Sequence, residues 1–77
     1  MTEKVFIDTD VFLDTILKRE PHRAHADHLL GMCEKAEIDG YSSALILANL
    51  YFIVRKVSDH GKAVQAVQKI RSFIKIH

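Results

Sequence analysis

Val5-Phe6-Ile7-Asp8-Thr9-Asp10-Val11-Phe12-Leu13-Asp14 is the stretch on which the reading of this chain turns. Val5, Phe6 and Ile7 are consecutive, apolar and β-prone. Such a run, without polar alternation, predicts a strand buried on both faces, as in a parallel sheet. The run stops at Asp8-Thr9-Asp10. Asp10 is expected to cap the following helix, its carboxylate accepting from the free N–H groups of the first turn. Val11, Leu13, Ile16 and Leu17 then recur at helical spacing, and Pro21 requires the helix to stop by Glu20, because proline disfavours α geometry at the residue before it.

Pro21 is also placed to open a second helix at its first position. Ala26, Leu29, Leu30, Cys33 and Ala36 form one apolar stripe there, with His25, Asp27, Glu34 and Lys35 mostly off it. Ile38-Asp39-Gly40-Tyr41-Ser42 reads as a short strand. Ser43 is the expected N-cap of a third helix running to about Lys56. From Ala44 to Val54 that helix is apolar nearly all round, which predicts that it is covered on most sides. Ser58-Asp59-His60-Gly61 breaks the pattern. A fourth helix carries Ala63, Val64, Val67 and Ile70 on one face, and the Phe73-to-Ile76 alternation starts another strand. Repeats, low-complexity tracts and internal linkers are absent from the sequence.

The order strand, two helices, strand, two helices, strand implies parallel pairing through right-handed crossovers. With consecutive strands as neighbours, right-handedness places both crossovers on one face of the sheet. The other face, and the outer edge of the first strand, are then bare. A strand as apolar as Val5-Phe6-Ile7 is a poor open edge. The expected fold is therefore an α/β half-domain with a short parallel three-stranded sheet, incomplete without a partner or a C-terminal half, and a homo-oligomer is expected.

The bulk properties agree with one small domain of 77 residues. An apolar content of 48% argues against disorder. The single cysteine, Cys33, cannot form an internal disulfide, so a reducing, cytoplasmic setting is expected. The start of the chain lacks a signal-peptide layout, and Ala44–Val54 is too short to span a bilayer, so no membrane association is expected. A net charge of +1 selects no partner. The pairs Lys18-Arg19 and Arg55-Lys56 fall where helices end, and there they complement the helix dipole.

In open parallel sheets, ligands bind beyond the carboxyl ends of the strands. Asp8 stands at that end of the first strand, and Asp10 follows at the mouth of a helix. Two carboxylates so placed, without Cys/His clusters of zinc spacing, suit a hard cation such as Mg²⁺ or Mn²⁺. Such an ion activates water and stabilises charge developing on a phosphodiester. Asp10 also serves as a plain helix cap. Asn49 interrupts the eleven-residue apolar segment, so it is expected to be buried and hydrogen-bonded. It either faces the strand ends and orients a metal-bound water or Asp8, or ties its helix to a neighbouring backbone segment. His22, His25 and His28 recur every third residue but drift round the helix, as a solvated face does. Asp14 and Asp27 read as solvent-facing helix residues, and Cys33 as a small core residue.

Val5 to Asp14 resembles the opening signature of PIN domains, a strand ending in Asp followed by Thr and Asn or Asp. Arg19-Glu20-Pro21-His22 is similar to a short loop in one bacterial branch of that family. Gly40-Tyr41-Ser42-Ser43-Ala44-Leu45 through Ala48-Asn49-Leu50-Tyr51-Phe52-Ile53-Val54-Arg55-Lys56 resembles its second sequence block. The branch is that of the VapC-toxin-like ribonucleases with Asn at the second motif. The likeness implies the N-terminal portion of a single PIN-like domain, spanning residues 1–77.

The resemblance further implies a Mg²⁺- or Mn²⁺-dependent endoribonuclease, often the toxin of a toxin–antitoxin pair, with RNA as substrate and an antitoxin protein as partner. Asp8 matches the first metal-binding acid, and Asn49 stands where most members have Glu, which removes one negative charge. Thr9 and Asp10 would order the loop. The family's other acids lie on later strands and helices. A second reading, of a different class, is a non-catalytic module that binds nucleic acid or protein through its open sheet.

Overall fold

The computed structural model describes residues 3–77, and among them the strands and helices alternate as the periodicity predicts. In chain order they are β1 (Lys4–Phe6), α1 (Thr9–Ile16), α2 (Arg23–Glu34), β2 (Asp39–Ser42), α3 (Ala44–Val57), α4 (His60–Arg71) and β3 (Lys75–Ile76). The sheet order is β1-β2-β3 and both pairings are parallel. Val5 pairs with Gly40 and Phe6 with Tyr41, while Tyr41 pairs with Lys75.

Side chains alternate across a strand, and burial shows which face the helices cover. Ile7, Gly40, Ser42 and Ile74 are buried, whereas Lys4, Phe6 and Lys75 on the other face are exposed. The described residues form a two-layer α/β arrangement, four helices on one side of an open sheet. The Cα extents of 39 × 27 × 16 Å agree, the smallest being too thin for a third layer. The bare face implied by right-handed crossovers is present, and Phe6 is 58% exposed on it.

The core lies between sheet and helices. Ile7, Phe12, Leu30, Cys33, Leu50, Val54, Ala63, Ile70 and Ile74 are among its buried members. Gly40 sits where β2 meets α2, and a Cβ there would lie 2.6 Å from Cys33 Sγ and 2.7 Å from Ile74 Cδ1. The sulfur is on a short side chain with little room to retreat. Gly40→Ala is therefore expected to destabilise the fold by about 1–3 kcal/mol through overpacking, read as a lower urea midpoint. An unchanged midpoint would show that the helix–sheet contact is loose. Burial pushes the Cys33 thiol above its ordinary value, which keeps it protonated and inert.

Several local expectations are corrected. Pro21 does not open α2, which begins two residues later, at Arg23. Ala36 lies beyond the end of α2, exposed and in the left-handed region with φ 60°. Lys18 also has positive φ, 54°, and with Arg19 it follows α1 rather than closing its last turn. Arg55 and Lys56 do occupy the last turn of α3. Ser43 caps α3 as expected, its hydroxyl accepting the Ile46 N–H at 3.1 Å. α3 is not covered on most sides, since Leu47, Leu50 and Val54 are buried while Leu45, Phe52 and Val57 are largely exposed.

Candidate active site at the carboxyl end of the sheet

The site begins where β1 ends. The Ile7 N–H donates to the Tyr41 carbonyl at 2.7 Å, and the Ile7 carbonyl accepts from the Ser42 hydroxyl at 3.1 Å. Ser42 is wholly buried, so its hydroxyl must be satisfied inside the protein. This bond fixes the peptide immediately before Asp8. Its importance was not apparent from the sequence, where Ser42 reads only as a strand residue.

Asp8 leaves the sheet in an extended conformation, φ −89° and ψ 167°. Its Oδ1 accepts the Thr9 N–H at 2.7 Å, and its carbonyl accepts the Val11 N–H at 3.2 Å. Asp8, not Asp10, is thus the N-cap of α1. The physical reason is the position of the helix start. The chain turns helical at Thr9, directly after the strand, so the cap position falls one residue past Ile7. Thr9 becomes the first helical residue. Asp10 lies in the first turn, where a carboxylate favours the positive end of the helix dipole.

Arg19 organises the acids of α1. Its Nε donates to Asp14 Oδ1 at 2.9 Å, and one of its terminal nitrogens lies 3.5 Å from Asp10 Oδ1. Asp14 is therefore not a free surface acid; its side chain is only 15% exposed. The left-handed turn at Lys18 lets Arg19 fold back along the helix, a connection invisible to periodicity. Asp27 pairs with Arg23 at 3.4 Å on the surface of α2, where His25 and His28 are exposed as expected.

Asn49 is exposed, which overturns its expected burial. No side-chain hydrogen bond among the described residues involves it. At 100° per residue it shares the outer face of α3 with Leu45 and Phe52, the face left uncovered because the helix packs on one side only.

The donor set is sparse. Among the described residues, no group of three or more His, Cys, Asp or Glu side chains is arranged to hold a metal ion. Asp8 nevertheless offers an exposed carboxylate with a single protein hydrogen bond, at the carboxyl end of a parallel strand. That fits a Mg²⁺-type ion, which takes one or two carboxylates and completes its shell with waters and substrate phosphates. Asp10 is less available, because Arg19 shares its charge.

No helix of the described residues is long and apolar enough to cross a membrane. A family model described as PIN domain matches residues 4–77. No curated protein and no solved structure matches the chain.

Proposed function

We propose, because this chain belongs to the PIN domain family, that it takes part in divalent-metal-dependent cleavage of RNA phosphodiesters with Asp8 as a metal ligand. PIN domains are a nuclease family, and the chain's α/β architecture accords with such a role. The observation that carries the reading is Asp8 itself, an exposed carboxylate at the sheet's carboxyl end, held by bonds on both sides. A bound Mg²⁺ or Mn²⁺ supplies Lewis acidity and an activated water at neutral pH.

The chain's own residues orient that chemistry. Ser42 holds the peptide before Asp8, and the Thr9 N–H occupies Oδ1. Oδ2 is left for a cation. Thr9 and Asp10 support the turn, and Asn49, exposed on the outer face of α3 and without a hydrogen bond to Asp8, enters this reading only as the residue at the second-motif position. In this reading residues 1–77 supply the N-terminal portion of a single PIN domain, of the VapC-toxin-like branch. Further ligands come from another segment or a second copy of the chain. A cytoplasmic toxin whose partner is an antitoxin protein follows from the same branch.

The test is cleavage of labelled single-stranded RNA at high protein concentration. Cleavage that needs Mn²⁺ and stops on chelation supports the reading. Cleavage indifferent to chelator contradicts it. A second reading, a binding module without chemistry, is favoured by the exposed apolar side chains Phe6, Leu45 and Phe52. RNA or protein binding with no cleavage and no Mn²⁺ binding at millimolar concentration would select it.

A further inference from the structure

Three helices leave a cleft between them, on the side of the sheet away from the bare face. α1, α2 and α4 enclose about 480 Å³ there, within the range of small-molecule sites. Buried Phe12, Leu30 and Ile70 line it, together with the half-buried Ile16 and Phe73. Its exposed rim carries Asp27, Glu34, Lys62 and Lys69, whose charges cancel. Lys69 Nζ meets Glu34 Oε2 at 3.6 Å, and Asp27 Oδ2 meets Arg23 Nε at 3.4 Å.

Two observations single out this cleft. Thr15 lines it, and the Thr15 Oγ1 is the one buried side-chain polar atom among the described residues without a hydrogen-bond partner. A helical threonine ordinarily satisfies its hydroxyl on the carbonyl one turn back. A buried hydroxyl left unmet is a cost to the fold that a ligand group can remove.

Gly31 supplies the second observation. It lies inside α2, where glycine weakens a helix relative to other residues. Its φ is not positive, and a Cβ added to it would meet nothing within 4 Å. Neither backbone conformation nor close packing calls for glycine at this position. Its effect is to keep the α2 wall of the cleft open.

We propose that the cleft binds a small neutral molecule, an apolar ring carrying one hydrogen-bonding group that meets Thr15 Oγ1. The apolar lining takes the ring out of water. A net charge on the ligand would lose hydration and gain little from a rim whose charges cancel. The site uses neither Asp8 nor the open sheet, so it stands or falls apart from the cleavage reading.

Titration of the ¹⁵N-labelled chain with p-cresol and with toluene, which differ by one hydroxyl, tests this. Millimolar p-cresol is expected to shift the amide signals of Thr15, Gly31 and Ala66. Toluene is expected to bind the same place about two- to tenfold more weakly, the usual effect of one hydrogen bond. Thr15→Val is expected to abolish that difference. Gly31→Leu is expected to fill the cleft and abolish the shifts from both compounds. Its urea midpoint is expected to be no lower than that of the unaltered chain, because leucine is the better helix former. Should Gly31→Leu fail to fold, Thr15→Val decides.

Absence of shifts with millimolar p-cresol, or shifts centred away from the cleft, would overturn the proposal. So would toluene binding as tightly as p-cresol, since the phenol hydroxyl would then be unmet. A folded Gly31→Leu variant with undiminished shifts would place the ligand elsewhere and overturn it as well.

Discussion

Asp8→Asn is expected to lower Mn²⁺-dependent RNA cleavage by about a hundredfold or more while leaving the fold intact. Loss of a direct carboxylate ligand removes a charge–charge contact worth several kcal/mol when the ion stabilises the transition state, and about 1.4 kcal/mol corresponds to each factor of ten. The substitution is clean because asparagine is also a good N-cap. Its side-chain oxygen can still accept the Thr9 N–H that Asp8 Oδ1 accepts at 2.7 Å. Charge is lost and the helix start is kept. Asp10→Asn is the matched control. It weakens the 3.5 Å contact with Arg19 and removes a favourable charge from the first turn of α1, each contributing at most about 1 kcal/mol at an exposed position. Equal rates for Asp8→Asn and the unaltered chain, at equal thermal stability, would remove Asp8 from the chemistry.

The largest structural effect is expected at Phe12. The residue is 0% exposed, between the sheet and the helices. Phe12→Ala removes most of a buried ring, at a cost of about 3–5 kcal/mol. At roughly 0.05–0.15 kcal/mol per residue, a chain of this length has about 4–12 kcal/mol of stability in all. The variant is therefore expected to lose a large fraction of that stability, seen as a much lower urea midpoint, or as loss of helical circular dichroism where the total lies at the low end of that range. Phe52→Ala, on the outer face of α3, is expected to change stability by no more than about 0.5 kcal/mol. A Phe12→Ala loss below about 1 kcal/mol would mean that the core is not centred where the burial places it.

The contrast between Phe12 and Phe52 shows how much of this molecule is legible in the sequence. Apolar spacing locates all four helices and three strands, because period and burial are coupled in short elements. The handedness of parallel crossovers then predicts the bare sheet face on which Phe6 stands. Which side of an all-apolar helix is covered is another matter. α3 offers apolar residues all round, and only the position of α1, α4 and the sheet decides that Leu50 is buried and Phe52 exposed. Asn49 lies on the exposed side for the same reason.

The site was legible to a similar depth. Asp8 stands out because a buried strand terminates at it. Asp8 and Asp10 are equally good caps as residue types, however. The choice between them depends on where the backbone leaves β-sheet geometry, and the Ile7–Tyr41 and Ile7–Ser42 bonds fix that point. The role of Arg19 is not legible in the sequence, because its reach to Asp14 depends on the left-handed turn at Lys18, which lysine rarely adopts. Ser42 is a strand residue like any other until the fold buries it beside the Ile7 carbonyl.

These bonds converge on one carboxylate, and a Mn²⁺ titration of ¹⁵N-labelled protein followed by NMR examines it directly. Selective paramagnetic broadening of the Asp8, Thr9 and Asp10 amide signals at millimolar Mn²⁺, abolished by Asp8→Asn, is the predicted result. Broadening centred elsewhere, or identical in Asp8→Asn, would contradict the assignment of Asp8 as a metal ligand.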